Sequence, residues 1–504
     1  MTRTNGKSFS RRSFLGASAA AAAGFAGAPH LSLGAIRVAK PMTRTFGRTG
    51  FEVTTLGLGG QASLQWTPEG VDPEKILLKA FELGVNYFDT SNVYGPSQLN
   101  YGKAFRRLHL VPGTPGYDEA KRRSIFLTSK TYVRSGKGGP MPGVRSRTEG
   151  PAGSTAVDDL KRTLSQVFGD GQGNYPRGAY VDGFLIHTVA SMEDVEAVYE
   201  GLDDPDPKAE RIGALAALVD YRDGTNRTGR NPKEEKLIRH IGFSGHHSPP
   251  VMMEMIQRDR ADVLDLMLVS VNANDLLYFN QQYNVIPLAA ARNMGIIAMK
   301  VFADGAMYTK DAVWSRTPEH VVRTVGSATL PSRPLVEYSL STPGVGTAII
   351  GIGQIDAESS SCQLEQNLSA SQIGPESLSA ADRIAVEDAA RQAKGGKTNW
   401  FQIPAEPLSA PRDAAVAQER QDRKRVVRLT WQTAYAGDQP IRRYEVVRDR
   451  GKVGQLAHRP QIDKTPFAFE ETLADDSAHV YRVVTVDAAG RRAASPDLVL
   501  PATG

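Results

Sequence analysis

The sequence predicts an α/β protein, a (β/α)8 barrel of the TIM type followed by a small all-β sandwich domain. Three observations carry that expectation. Between residues 53 and 393, short and nearly continuous apolar runs alternate with stretches of helical spacing, the rhythm of parallel strands covered on both faces. After residue 400 the alternation gives way to short β-patterned runs separated by turn signals. At 504 residues the chain exceeds one ordinary domain, and a hydrophobic share of 40% is enough for more than one core.

Taken in order, residues 53–59 read as a buried strand ending in glycines. A helix over 73–83 follows, with Ile76, Leu77, Ala80 and Phe81 at helical spacing and Gly84 as its stop. The next strand, 86–88, ends at Asp89, and a helix over 101–108 leads to a third strand over 124–129. Residues 136–153, rich in Gly, Pro and Arg, form a long loop. A helix over 155–168 then precedes a strand over 181–186. Residues 203–235 interrupt the rhythm as an inserted excursion around a helical piece at 212–219. Strands over 237–243, 263–271, 295–301 and 345–351 complete eight, with helices over 249–257, 284–293, 319–341 and 378–393. The barrel is bounded at 40–400, a linker at 401–411 and a β-sandwich at 412–504. Within the last, residues 425–431, 444–448 and 480–486 are strands.

The formal charge of +5 is spread over both ends, from Arg3, Lys7, Arg11 and Arg12 to Arg423, Lys424 and Arg425. It builds no basic stripe, so a nucleic-acid partner is set aside. The single cysteine, Cys362, permits neither an intramolecular disulfide nor a cysteine metal cluster. Ser10-Arg11-Arg12-Ser13-Phe14-Leu15, the mild apolar run over 16–28 and Ala26-Gly27-Ala28 resemble a twin-arginine export signal occupying residues 1–28. That run is too short and glycine-rich to span a bilayer. The resemblance implies export in the folded state, a periplasmic or cell-envelope location, and no membrane span in the mature chain.

In such a barrel the C-terminal strand ends face the active site. Asp89 closes the second strand, Lys130 the third and His187 the fourth, and Tyr94 lies in the loop after Asp89. Carbonyl reduction needs a proton donor at oxygen as hydride reaches carbon. A tyrosine is a weak acid until a nearby ammonium favours its phenolate, a carboxylate holds that ammonium in place, and a histidine orients the oxygen. Singly, these residues read as a helix cap, a solvated lysine and a satisfied strand-end histidine; their joint placement at successive strand ends favours the catalytic reading.

The order Asp-x-x-x-x-Tyr-Gly, Thr-Ser-Lys and Leu-Ile-His resembles the aldo-keto reductase superfamily. Similar to it as well are Phe46-Gly47-Arg48-Thr49-Gly50-Phe51-Glu52-Val53, Ile241-Gly242-Phe243-Ser244-Gly245-His246, and Leu335 to Leu340 with Pro343-Gly344-Val345 and Ile349-Ile350-Gly351. The resemblance covers about residues 45–393. It implies Tyr94 as general acid/base, Lys130 and Asp89 as its tuning pair, His187 as the substrate-orienting group, and NADP or NAD as cofactor. It places cofactor contacts at Gly60, Asp89, Ser244, Gly245, Lys300, Gly351, Gly353, Gln354 and Asn367. Ser244 stands where the family contacts the nicotinamide carboxamide, while Leu268 and Met299-Lys300 replace the glutamine and ring-stacking tyrosine of many members; Lys300 is placed toward the pyrophosphate. No Lys or Arg stands between Gly351 and Asn367, so a 2′-phosphate preference is not indicated.

His240, His246 and His247 suggest a pocket or solvated role, since strand neighbours point to opposite faces, and no metal site is assigned. The expected function is reversible conversion of a small-molecule carbonyl (aldehyde, ketone or sugar) to an alcohol. The alternative is a nucleotide-binding barrel with a regulatory or binding role. An early Trp and the Tyr-x-Val-x-x-Val segment over 481–486, followed by the Asp487-Ala488-Ala489-Gly490 turn, make the C-terminal domain similar to a fibronectin type III module, which implies contact with a polymer or protein.

Overall fold

The computed structural model describes residues 40–131, 155–421 and 424–503, all within one unit, Val38–Gly504. The residues expected to carry the export signal and the long loop over 136–153 lie outside these described residues. Eight parallel strands close a barrel: β1 (Leu56–Leu58), β2 (Tyr87–Asp89), β3 (Phe126–Thr131), β4 (Val181–Ile186), β5 (Ile238–Gly245), β6 (Leu264–Ser270), β7 (Gly295–Met299) and β8 (Val345–Ile350). They pair in chain order, and β8 closes the ring on β1. Asp89 is level with Thr128 across the β2–β3 pair, and Lys130 with Leu185 across β3–β4. That register lifts the polar strand-end residues to the same rim.

The opposite end is plugged. Thr43–Thr45 and Glu52–Thr54 form an antiparallel hairpin, and Phe46 between them is fully buried against Tyr87, Phe126, Leu266 and Ile297 of the barrel interior. The run expected as one strand over 53–59 is therefore two elements, with Thr54 ending the hairpin and Leu56 opening the barrel. Tyr87 and Phe126 stack 5.8 Å apart with Phe46 edge-on to both, filling the space that aliphatic layers fill elsewhere.

Outside the strands, helices start where sequence caps them. Asp72 accepts from the N–H groups of Glu74 and Lys75 ahead of Pro73–Glu82, and Thr155 with Asp158 makes a capping box for Ala156–Phe168. The inserted excursion carries the buried helix Ala214–Asp223, and Asp220 folds the loop after it by accepting from Thr225, Arg227 and Thr228.

Residues 319–341 depart from the helical expectation: only Ser332–Leu340 is α-helical, and residues 300–331 form an irregular loop with two single 3-10 turns. Pro318, Pro331 and Gly326, at φ +66°, interrupt any longer helix. That loop lies over the mouth of the barrel.

The C-terminal strands are β9 (Arg412–Gln421), β10 (Lys424–Gln432), β11 (Ile441–Arg448), β12 (Gly451–Ala457), β13 (Phe467–Leu473), β14 (His479–Asp487), β15 (Arg492–Ala494) and β16 (Leu498–Leu500). They form antiparallel sheets of order β9-β10-β13 and β12-β11-β14-β15, with β16 on β14, around buried Trp431, Tyr444, Phe467 and Tyr481. This domain docks on the barrel through polar side chains. Asn280 and Asn284 donate to the carbonyls of Gly437 (2.7 Å) and Ala436 (3.1 Å), and Gln257 donates to that of Gln461 (2.8 Å). Phe401 and Gln402, at the start of the expected linker, are buried against the barrel.

Among the described residues no helix is long and apolar enough to cross a membrane.

Candidate active site

At the C-terminal rim a cavity of about 380 Å³ opens, lined by Gly60, Asp89, Tyr94, His187, His246, Lys300, Gly351 and Asn367 among others. Asp89 lines its floor and meets Lys130 just beneath it, with 1% and 0% exposure. Lys130 Nζ lies 2.6 and 2.7 Å from the two Asp89 carboxylate oxygens and donates to the Thr90 carbonyl at 2.8 Å. The Gly60 N–H also donates to the Asp89 carboxylate. Burial pushes the Asp89 carboxyl above its ordinary range and the Lys130 ammonium below its own, while their mutual attraction opposes both shifts. The two are thus tightly coupled, each favouring the charged form of the other against the effect of burial.

Lys130 Nζ sits 4.7 Å from the centre of the Tyr94 ring, which is 8% exposed on the cavity wall. His187 stands edge-on to that ring at 5.8 Å. Its backbone N–H extends the β3–β4 ladder to the Thr131 carbonyl, and its Nδ1 shares a 3.1 Å hydrogen bond with Ser91 Oγ. The Ser91 contact fixes the orientation of the imidazole ring. Asp89, Lys130 and His187, read from three strand ends, and Tyr94, from the loop after Asp89, are brought together. Lys130 works from behind Tyr94 and does not itself line the cavity.

Residues 55–385 match the aldo/keto reductase family. The chain belongs to that family. It is 31% identical over 129 residues to a protein named as a voltage-gated potassium channel subunit beta in Schizosaccharomyces pombe. That match spans 25% of this chain and 32% of the yeast protein, so the chain covers about a third of the curated relative's length. An aldo/keto reductase from Klebsiella pneumoniae, solved with NADP and acetate, is 16% identical with a TM-score of 0.40, covering 69% of this chain and 95% of its own. A Bombyx mori aldo-keto reductase solved with NADP is 15% identical with a TM-score of 0.43, covering 70% and 94%.

The cofactor positions that the family resemblance implies divide into two groups. Gly60, Asp89, Lys300, Gly351 and Asn367 line the cavity. Among the described residues Asn367 Oδ1 is buried there without a partner, while a Cβ on Gly60 would stand 2.3 Å from the Asp89 carbonyl, so that glycine is required by the close approach of the neighbouring strand. A buried acceptor awaiting a donor and the Lys300 ammonium on the same cavity suit the N–H donors and the phosphate charge of a nucleotide, so this part of the site fits one.

Ser244, Gly245, Gly353 and Gln354 do not line the cavity. The Ser244 hydroxyl, expected at the carboxamide, is fully buried and accepts from the Thr188 N–H at 3.0 Å. Gly245 backs onto Met252. The N–H groups of Gly353 and Gln354 donate to Gln363 Oε1 at 2.8 and 3.2 Å. Lys300, at φ +60°, places Nζ 3.4 Å from both Gln61 Oε1 and Asp304 Oδ1 and 4.7 Å from the Trp314 ring centre.

Three contributions escaped sequence reading. Ser91 was visible in the Asp89-to-Gly95 run, but only the fold shows that it reaches His187. Arg323 lies outside the Gly351-to-Asn367 segment, yet its Nε donates to Gln354 Oε1 at 2.7 Å. Trp314 lines the cavity and packs edge-on to Trp400 at 5.5 Å, joining two segments 86 residues apart in the chain (314 and 400).

Proposed function

We propose that this family member is a nicotinamide-dependent oxidoreductase that interconverts a carbonyl and an alcohol, with Tyr94 as general acid/base. The observation that carries the reading is the buried Asp89–Lys130 pair with its ammonium 4.7 Å from the Tyr94 ring and His187 edge-on to that ring at the same cavity. A nicotinamide cofactor, NADP or NAD, held along Gly60, Lys300, Gly351 and Asn367, would supply or accept the hydride. The relatives solved with NADP agree with that choice.

The chain's own residues do the rest. A substrate carbonyl oxygen enters between Tyr94 and His187. As hydride reaches carbon, the oxygen takes the phenolic proton of Tyr94, leaving a phenolate beside the Lys130 ammonium. That ammonium stabilises the anion, and Asp89 keeps the lysine charged in a dry site. His187, its ring fixed by Ser91, holds the oxygen in line. In reverse, the phenolate removes the alcohol proton as hydride leaves.

A second reading, a barrel that binds nucleotide without turning it over, is favoured by the engagement of Ser244 and of the Gly353 and Gln354 amides. Following absorbance of NADPH or NADH with a panel of aldehydes separates the two. The catalytic reading predicts turnover in the native protein and a loss of about 10²- to 10⁴-fold in Tyr94→Phe with nucleotide binding retained; binding without turnover would overturn it.

The Arg11-Arg12 segment supports export by the twin-arginine route to the periplasm or cell envelope. A protein that takes up its nucleotide before leaving the cytoplasm has reason to travel folded. The two-sheet order around Trp431 supports a fibronectin type III-like reading of the C-terminal domain, with contact to a polymer or protein as its role.

A further inference from the structure

His246 directly follows β5 and lines the cavity, yet nothing in the proton-transfer scheme uses it. Its side chain is 5% exposed and ringed by aromatics: Trp314 edge-on at 5.5 Å, His247 at 6.1 Å and Phe401 at 6.2 Å. Among the described residues its Nδ1 is enclosed without a hydrogen-bond partner. A buried N–H costs more to leave unpaired than a lone pair, so the proton rests on the other nitrogen. With Nδ1 sealed off, Nε2 is the polar atom of this ring that reaches the cavity. Burial, reinforced by Lys300, His247 and Lys130, holds the imidazole well below its ordinary pKa. Burial thus favours the neutral ring, whose Nε2–H is then a donor toward the cavity. The cations beside it are matched, Lys130 by Asp89 and Lys300 by Asp304, so the local field does not call for an anion.

We propose that His246 is a substrate-positioning residue whose Nε2–H donates to a hydroxyl oxygen of the carbonyl substrate, so that hydroxylated aldehydes or ketones are selected over plain ones. This rests on the catalytic reading above for its substrate but not for its geometry. A site built to pair with a hydroxyl discriminates against the analogue lacking it, because the buried donor is then left unpaired. Trp66 and Trp314 add apolar faces on the cavity wall for the C–H side of such a molecule.

The test compares glyceraldehyde, propanal and succinate semialdehyde as substrates of the full chain with reduced nicotinamide. The native protein is expected to favour glyceraldehyde in kcat/KM. His246→Phe is expected to lower the glyceraldehyde-to-propanal ratio by about tenfold to a hundredfold, chiefly through KM, and His246→Gln, which keeps an N–H donor, to restore part of it. An unchanged ratio, an equal fall for both aldehydes, or a native preference for succinate semialdehyde would each overturn the proposal. Quenching of tryptophan fluorescence by xylitol against 1-pentanol gives a readout independent of turnover. Tighter xylitol binding that His246→Phe abolishes supports the site even in a protein that reduces no aldehyde, whereas equal binding of the two alcohols overturns it.

Discussion

Replacing Asp89 by Asn removes the counter-charge from Lys130 while keeping shape. The lysine is fully buried, and among the described residues the contacts left to it, the Thr90 carbonyl and the Tyr94 ring face, are both neutral. Breaking such a pair costs about 3–5 kcal/mol, because one charge is stranded. An upper bound follows independently: the stranded ammonium can shed its proton, and neutralising an ordinary lysine of pKa about 10.4 at pH 7 costs about 1.4 kcal/mol for each of roughly three and a half units, near 5 kcal/mol. The two routes agree. The sign of the pH dependence is also fixed. Burial already lowers the Lys130 pKa, and loss of Asp89 lowers it further, so the folded variant binds fewer protons than its unfolded chain. Its deficit relative to the native protein, whose lysine Asp89 helps keep protonated, therefore shrinks as pH rises above 7. Paired urea unfolding at pH 7 and pH 9 measures this. A deficit under about 1 kcal/mol at pH 7, or one that does not shrink by pH 9, would refute the picture of a stranded buried charge.

Asp275 is fully buried, and burial raises its carboxyl to about 7 against hydrogen bonds from Gln402 and Gln282. Its contribution to stability is complete below about pH 4 and is lost as pH rises through 7, so the native protein should lose roughly 4 kcal/mol relative to Asp275→Asn between pH 4 and pH 8, read by urea unfolding at the two pH values. A chain ending at Gln402 gives up the Asn280, Asn284 and Gln257 bonds to the β domain; it should fold and retain turnover with a melting temperature lower by roughly 5–15 °C, whereas a chain ending at Ala393 also loses Asn399, Phe401 and Gln402 and should lose turnover. Cell fractionation of the Arg11→Lys, Arg12→Lys double variant should find it retained in the cytoplasm; normal export would contradict the signal assignment.

The barrel was legible because its determinants are local. Residues 181–186 are apolar enough to be placed to the residue, and Asp89, Lys130 and His187 sit where apolar runs end. The third strand was read short at 129, since Lys130 and Thr131 look like loop residues until the fold pairs them with Leu185 and Ile186. Contacts over long separations left weaker traces. The loop over 300–331 is anchored by Lys310 on Asp304 and on the face of Trp400, and no periodicity signals such a crossing. The β domain showed its buried strands, but β9, β12 and β13, with more exposed patterns, were missed. Ser244 shows the limit of motif transfer: the residue stands at the family's position, and its hydroxyl goes to the Thr188 backbone instead.

The central claim is that Tyr94 and Lys130 act as one proton-delivering unit. Single-turnover oxidation of reduced nicotinamide by an aldehyde, followed in the native protein, Tyr94→Phe, Lys130→Met and the double variant, tests it most directly. The account predicts a loss of about 10²- to 10⁴-fold in Tyr94→Phe and no further loss on adding Lys130→Met, because the lysine acts only through the phenol. A native rate in Tyr94→Phe, or losses that multiply in the double variant, would contradict it.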